Sequence, residues 1–215
     1  MDHSKMDHSK MENFEGGMDH SKMDHSKMNM DKNPCTGDLT DLEYLEHMIP
    51  HHQVAIDMSD LLLPKSKNPV ILHLCRDITR KQSYEIWEMT MLKNKINGQL
   101  TDNSSWTVDC YETKLEKFWP KLSKSKDGSC NPLFFKPNEH MKMMEGMEIN
   151  DKSYLEHMIP HHQVAVDMSK RLLLHTNNSY LLDFCRKLIT DQQGEIFYMN
   201  NLLMNHYDHF SELLG

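Results

Sequence analysis

Residues 44–59 read YLEHMIPHHQVAIDMS, and the chain repeats this segment at residues 154–169 with one change, from Ile56 to Val166. The 110-residue offset between the two copies extends beyond the quoted stretch. Other aligned pairs are Cys75 and Cys185, Gln82 and Gln192, Glu85 and Glu195, and Met89 and Met199. Matches at one spacing over so long a stretch indicate that a whole structural unit is duplicated.

The N-terminal part of the chain has a different composition from the rest. Of the 215 residues 38% are hydrophobic, but residues 1–34 contain no aliphatic run and repeat MDHSK with a five-residue period. A segment of this kind cannot bury a core, so we expect residues 1–34 to form a disordered tail.

The net charge argues against a nucleic-acid partner, and the lack of long apolar runs argues against a membrane span. The net charge is −8, and no Lys/Arg cluster with interleaved aromatic side chains is present, which disfavours nucleic acid. No apolar run reaches the roughly 20 residues of a membrane span, and the N-terminus lacks the apolar stretch of a secretory signal. We therefore expect one of two cases. The sequence is that of a processed form, or the protein stays in the compartment where it is made, in a host cell or a particle.

Each copy of the repeat predicts a helical hairpin. In repeat 1, residues 35–99, the first helix should begin near Thr36 to Thr40, where Asp38, Thr40 and Asp41 offer capping oxygens, and run to about Leu63. The second helix should span residues 69–97. In repeat 2, residues 150–215, the helices should span 150–175 and 178–208. The connection, residues 100–149, should contain a helix near 111–122 and a turn at 125–132.

A two-helix unit has too little core to be stable alone, so the two hairpins should pack together. The predicted fold is all-α: one ferritin-like four-helix bundle with approximate two-fold symmetry between the repeats.

Five cysteines are present, and none forms a CxxC motif, which disfavours a zinc ribbon or a thioredoxin-like site. Cys75 and Cys185 lie among apolar neighbours and should be core residues. Cys110 and Cys130 flank a loop and could pair in an oxidising compartment, which the sequence does not decide.

The histidines of the repeat have the spacing of a helical metal site. His47 and His51 are four residues apart, so both imidazoles can reach one ion from one helix face, and Met58 shares that face. His52 and Met48 should point toward the flank. Further ligands are expected from the second helix and from the second copy, which gives a predicted bundle set of His47, Met48, His51, His52, Met58, Glu85, Met89, His157, Met158, His161, His162, Met168, Glu195 and Met199. The alternative is that His47 and His51 only hydrogen-bond Glu85 and Gln82 inside the bundle.

The tail carries four copies of a His-x-x-Met pair. The predicted ligands there are His3, Met6, His8, Met11, His20, Met23, His25 and Met28. Thioether is a soft ligand without a proton to lose, so it selects Cu(I) or Ag(I), whereas zinc, calcium and magnesium would not select methionine. A second soft cluster, at His140, Met141, Met143, Met144 and Met147, precedes repeat 2. The alternative for the tail is a solvated Lys/Asp spacer.

The motif YLxxMIPHHxxAxxM, followed by QxxEIxxM from Gln82, resembles the family called domain of unknown function 305. The match covers residues 40–92 and 150–202. The resemblance implies a ferritin-like fold and places the family's histidine pair at His51 and His52, and at His161 and His162. It also implies a relation to secreted bacterial proteins, some of them similar to periplasmic copper-binding proteins, and to proteins of large algal viruses. The tail resembles Met/His repeats of bacterial copper and silver resistance proteins. Because this chain shows no secretory signal, the sequence does not decide between the bacterial secreted or periplasmic localisation and the viral one.

The sequence therefore predicts a protein that binds copper, with Cu(I) as the favoured oxidation state, or Ag(I), and that sequesters the metal, confers resistance or delivers it. The expected partners are metal ions and a protein that receives them. Alternatives are a non-enzymatic structural or interaction module and, less favoured, a di-iron oxidase. The protein should not be an enzyme, because a di-iron bundle needs more carboxylates than the repeats supply. Whether each hairpin has a site or both share one stays open.

The N-terminus predicts a separate Cu(II) site. A free amine, two backbone amides and His3 could form a square-planar set. In a peptide of residues 1–34 with a free amine, one equivalent of Cu(II) should give a visible absorption band that acetylation abolishes. Identical spectra for the free and acetylated peptides would contradict this site.

Overall fold

The computed structural model describes residues 34–35, 37–96 and 130–207, and this part of the chain is helical without strands. The helices are α1 (Asp41–Leu62), α2 (Pro69–Ile96), α3 (Pro137–Met144), α4 (Asp151–Leu172) and α5 (Ser179–Tyr207), with a 3-10 helix at Pro132–Phe135 before α3. The prediction of an all-α bundle is confirmed. In the described ranges no helix is both long and apolar enough to cross a membrane. The predicted tail, the helix near 111–122 and Cys110 lie outside the described residues.

Local side-chain caps explain where the first helix of each hairpin begins. At α1, the Thr40 hydroxyl accepts from the Glu43 backbone N–H at 3.2 Å, and the Glu43 carboxylate accepts from the Thr40 N–H at 2.8 Å. At α4, Asn150 and Ser153 exchange the equivalent two bonds, each at 3.0 Å. Both are capping boxes, which satisfy N–H groups that a helix start leaves without partners. Thr40 is thus the N-cap among the three candidates, Asp38, Thr40 and Asp41, that the sequence offered.

The end of α4 differs from the prediction. The helix ends at Leu172 instead of near residue 175. His175 lies in the following turn, where its Nε2 is 2.6 Å from the Leu39 carbonyl oxygen, and Asn178 accepts from the Tyr180 N–H at 3.0 Å to cap α5. A long-range contact and the next cap therefore end α4 early.

The two hairpins, α1 with α2 and α4 with α5, meet through α1 and α4. Two buried hydrogen bonds connect them in a reciprocal way: the Tyr44 and Ser169 hydroxyls are 2.7 Å apart, and the Tyr154 and Ser59 hydroxyls are 2.8 Å apart. These four residues are two equivalent pairs at the 110-residue offset. Each hairpin thus offers its tyrosine to the serine of the other, and the α1–α4 contact is approximately two-fold symmetric.

The outer helices α2 and α5 are joined by long polar side chains. Lys81 Nζ lies 2.8 Å from Glu195 Oε1, and the Tyr180 hydroxyl donates to Glu88 at 2.9 Å. Apolar side chains from both hairpins form one core cluster. Cys75 and Cys185 are buried in that core and unbridged, as predicted.

The disulfide differs from the pairing that the sequence suggested. Cys130 pairs with Cys35, with Cα atoms 6.1 Å apart, and not with Cys110. Cys35 precedes α1, and Cys130 precedes the 3-10 helix and α3, which both pack on α1. Packing of the connecting segment on α1 brings these two cysteines together, and closeness in sequence gives no indication of it.

The reciprocal Tyr–Ser bonds predict a paired stability effect. Tyr44→Phe and Tyr154→Phe should each lower the free energy of unfolding by about 1 kcal/mol, because each removes one buried hydrogen bond and leaves a serine hydroxyl short of a partner. Urea denaturation measures this, with Tyr84→Phe as the control because Tyr84 is 56% exposed. Losses no larger than that of the control would show that these bonds do not hold the hairpins together.

Candidate metal centre

The second histidine of each HxxxHH segment lies where α1 and α4 meet. The rings of His51 and His161 are stacked, with centroids 3.7 Å apart and planes inclined by 29°, and both are fully buried. His161 Nε2 lies 3.0 Å from the His51 carbonyl oxygen, to which it can donate. The two residues are equivalent in the repeat, so they lie at the approximate two-fold axis.

The third histidine of each segment pairs with a carboxylate of its own hairpin. His52 Nε2 is 2.8 Å from Glu85, and His162 Nε2 is 2.8 Å from Glu195. The ring centroids of His51 and His52 are 6.2 Å apart, and those of His161 and His162 are 6.0 Å apart. Together His52, His51, His161 and His162 form a row of four imidazoles across the core, which we call the histidine array.

Two details of the predicted site change. His52 and Met48 are fully buried instead of lying at a flank, because α2 covers that side of α1. The carboxylate of Glu85 accepts from His52, and not from His47 or His51 as the structural alternative supposed. Gln82, which that alternative also invoked, is buried with neither amide atom hydrogen-bonded among the described residues.

The array contains buried ring nitrogens that the described residues leave without hydrogen-bond partners. They include the Nδ1 atoms of His51, His52, His161 and His162. Leaving a buried polar group unpaired costs on the order of 1–3 kcal/mol, so such groups are rare unless they have a role. Where the hydrogen is on the other nitrogen, each unpaired nitrogen is a lone pair available to a ligand.

The electrostatics keep the central histidines neutral. Burial, reinforced by the neighbouring histidines, lowers the pKa of His51 and of His161 well below the usual value. Burial alone would raise the pKa of Glu195, but its hydrogen bonds and charge interactions with His162 and Lys81 lower it to about 2. Neutral imidazole is the form that binds a metal, and a carboxylate behind a ligating histidine is its common partner.

Two aromatic rings of the 3-10 helix cover the array. Phe134 meets His157 and His161 with centroid distances of 5.2 and 5.0 Å, and Phe135 meets His47 and His51 at 5.8 and 5.3 Å. The sequence did not single out either phenylalanine. In the sequence these two residues stand out only as an aromatic pair that follows Cys130 and the predicted turn at residues 125–132.

The first histidines of the two segments lie beside the array in different surroundings. His47 is 4% exposed, and burial lowers its pKa. His157 is partly buried, and its Nε2 is 3.0 Å from Nε2 of His140 on α3. His140 was absent from the predicted ligand set, although its place among four methionines was a usable signal.

The predicted methionines of the bundle lie in the same core as the histidines. Met48, Met58, Met89, Met158, Met168 and Met199 are all at most 1% exposed. Their role as ligands stays a prediction, since thioethers are also ordinary core groups. The predicted tail ligands, from His3 to Met28, lie outside the described residues.

The donor set suits some metals better than others. In the parts of the chain that the structure describes, no three or more His, Cys, Asp or Glu side chains stand in an arrangement that could hold an ion. A structural zinc site takes four such ligands, so the described ranges contain no preformed one. The groups that do converge are pairs of imidazoles. Cu(I) and Ag(I) accept two ligands in line, and imidazole and thioether both suit copper.

The fold and this site define an all-helical bundle whose two hairpins bring equivalent histidines together in its core. The chain belongs to the family described as domain of unknown function (DUF305), whose model matches residues 41–203. It is also similar to the uncharacterized protein L153 of Acanthamoeba polyphaga mimivirus, with 42% identity over 55 residues. That alignment covers 26% of this chain and 36% of the viral protein.

Solved structures of the protein CopM have a similar fold over most of the chain. The silver-bound form obtained by soaking is 25% identical with a TM-score of 0.58, and covers 80% of this chain and 99% of that chain. The Cu(II)-bound form is 26% identical with a TM-score of 0.58, and covers 80% and 100%. The Cu(I)-bound form is 25% identical with a TM-score of 0.57, and covers 79% and 99%.

The buried histidines predict a pH-dependent stability. Burial and the neighbouring His140 lower the pKa of His157 to about 4, and the pKa values of His51 and His161 are also lowered. The unfolded chain therefore binds more protons than the folded one below about pH 6.5, and stability must fall as the pH drops toward 4.

Urea denaturation of the metal-free protein at a series of pH values tests this. We expect the free energy of unfolding to decrease across that window, and to decrease less steeply in the double variant His51→Leu/His161→Leu. Equal slopes for the two proteins would mean that the central histidines do not cause the pH dependence.

Proposed function

We propose that this protein binds copper, as Cu(I), and also Ag(I), and that it sequesters the metal, confers resistance to it or delivers it. The observation that carries the proposal is the stacked pair His51 and His161. Both are buried and neutral at pH 7, and each has a ring nitrogen without a hydrogen-bond partner among the described residues. The copper-bound and silver-bound structures of CopM support the same choice of metal.

The preference for a monovalent ion follows from charge and ligand type. A neutral imidazole pair adds no negative charge, so a buried monovalent ion leaves less uncompensated charge than a divalent one. Glu85 and Glu195, at the two ends of the array, lie behind His52 and His162 and can balance the ion's charge without contacting it. The buried methionines of the core add soft atoms that favour Cu(I) over hard cations.

Both hairpins would share one central site. Only the pairing of α1 with α4 brings His51 to His161, and each hairpin alone has a single one of these residues. The duplication then has a chemical purpose, because it brings two equivalent imidazoles together that would hold one ion. A hairpin separated from its partner would lack half of the site.

The tail would capture the metal and the bundle would hold it. His-x-x-Met pairs between His3 and Met28 offer interchangeable soft ligands, and a receiving protein could exchange ligands with them in turn. The proposed role is non-enzymatic. Glu85 and Glu195 each bond a different histidine at opposite ends of the array, so they do not bridge a common centre as di-iron carboxylates do.

The disulfide bears on where the protein would act. A bond between Cys35 and Cys130 persists in an oxidising setting and is reduced in most cytosols. This favours an extracytoplasmic compartment or the exterior of a particle as the working location.

A structural role for the histidines is the competing hypothesis. It is favoured by the bonds from His52 to Glu85 and from His162 to Glu195, which join the helices of each hairpin without any metal. It gives no reason for unpaired nitrogens on His51 and His161. Metal binding and a purely structural role therefore differ in what replacement of those two residues should do.

An anaerobic Cu(I) titration against a competing chelator tests the proposal. The double variant His51→Leu/His161→Leu should lose the tightest bundle-bound equivalent, and Cu(I) should raise its unfolding temperature less than it raises that of the wild type. His73→Ala is the matched control, because His73 lies on α2 with its side chain 76% exposed. Zinc should give no comparable shift.

Leucine is chosen because replacing unpaired polar groups by an apolar side chain of similar size preserves the folded state. Circular dichroism verifies that fold. If the folded double variant bound Cu(I) with wild-type stoichiometry and thermal shift, the array would be structural and copper binding by the bundle would be refuted.

A further inference from the structure

A second pair of imidazoles lies beside the array and belongs to only one hairpin. Nε2 of His140, on α3, is 3.0 Å from Nε2 of His157, on α4, and the ring centroids are 5.0 Å apart with planes inclined by 67°. His140 is fully buried, and its Nδ1 has no hydrogen-bond partner among the described residues. His157 is partly exposed, so the pair lies at the edge of the core.

The pair breaks the approximate symmetry of the bundle. The residue equivalent to His157 is His47, whose ring meets the edge of Phe135 at 5.8 Å. At the 110-residue offset His140 corresponds to Met30, which precedes the described residues. The extra imidazole therefore comes from the connecting segment, and it faces one of two equivalent histidines.

α3 carries the ligand pattern of the tail in a helical geometry. His140, Met141, Lys142 and Met143 form one more His-x-x-Met pair, like those between His3 and Met28. Residues three and four apart share a helix face, so Met143 and Met144 lie on the same side of α3 as His140. Met144 is buried, and Met143 is half-buried against the core. One ordered face thus presents an imidazole and two thioethers.

The two facing Nε2 atoms are better suited to bind a soft cation between them than to form a hydrogen bond with each other. In a neutral pair one Nε2 must carry a hydrogen and the other must accept it, so two of the four tautomer combinations keep the contact. Burial lowers the pKa of both groups, so neither ring is positively charged at neutral pH. With each ring's hydrogen on Nδ1, both Nε2 lone pairs point at the space between the rings. An ion held there needs the nitrogens about 4 Å apart, twice a metal–imidazole bond of ~2.0 Å, which is a small opening of the observed contact.

We propose that His140 and His157, with Met143 as a further soft donor, form a second site for a monovalent soft cation, Cu(I) or Ag(I), outside the histidine array. This inference rests on the proposed function for the identity of the metal. No proton is released on binding, because each imidazole stays neutral and keeps one hydrogen. The site lies between solvent and the array: Phe134 contacts His157 at 5.2 Å and His161 at 5.0 Å, so it separates the two positions. An ion would reach the edge pair first and the central pair after Phe134 moves.

The test uses Ag(I), which is diamagnetic, and the full chain with ¹⁵N-labelled histidine. Long-range ¹H–¹⁵N correlation spectra report each imidazole nitrogen separately. In the wild type we expect the Nε2 signals of His140 and His157 to shift together during titration. In His140→Ala the His157 signal should no longer shift, while those of His51 and His161 still do.

Two further variants keep the result interpretable. Met143→Leu preserves volume and should weaken binding at the edge pair by roughly tenfold, the low end of what loss of a supporting group costs a metal site. His47→Ala is the matched control, because it removes the equivalent histidine of the other hairpin and should leave the His140 and His157 shifts unchanged.

The outcomes separate this site from the proposed function. Shifts at His51 and His161 without shifts at His140 and His157 would overturn the edge site and leave copper binding by the array in place. A His157 shift that persists in His140→Ala would also overturn it, since the pair would not be acting together. If no histidine of the bundle shifted with Ag(I), both the edge site and the proposed central site would fall.

Discussion

The contact between α1 and α4 is the constraint on which the rest of this structure depends. It is made by equivalent residues of the two hairpins, with a tyrosine of each bonded to a serine of the other and His51 stacked on His161 at the centre. Each hairpin alone would expose these polar groups on an otherwise apolar face. Their pairing across the interface buries them with partners for the hydroxyls, and leaves ring nitrogens of His51 and His161 without partners among the described residues.

Those nitrogens are destabilising in the metal-free protein, and the bundle tolerates them because its core is large and continuous. Apolar side chains of both hairpins surround the array, and Phe134 and Phe135 exclude water from it. The same low-polarity surroundings that make an unpaired nitrogen costly also keep His51 and His161 neutral. Burial of these histidines thus has two consequences. It lowers the stability of the metal-free protein, and it keeps the rings in the neutral form that binds a metal.

The connecting segment gives the duplicated bundle its asymmetry. Its disulfide from Cys130 to Cys35 anchors this segment just before the 3-10 helix, the 3-10 helix covers the array, and α3 brings His140 to one histidine of an equivalent pair. Two equal hairpins by themselves would offer equal surroundings to His47 and His157. With the segment in place both meet a phenylalanine, but His157 also meets a second imidazole. The approximately symmetric bundle therefore has two different proposed metal positions, an inner one at the histidine array and an outer one at His140 and His157.

The sequence by itself determined the helical class, the pairing of consecutive helices into hairpins and the burial of Cys75 and Cys185. Helix periodicity, capping residues and a long internal repeat are local signals that can be read without knowledge of the fold. Only the tertiary structure decided which histidines meet. His51 finds its own equivalent across the axis, His52 takes Glu85, and Cys130 takes Cys35 and not the cysteine nearer in sequence. The physical reason is that helix phasing gives the direction of a side chain relative to its own helix. Which neighbour covers that direction depends on how the hairpins and the connecting segment pack.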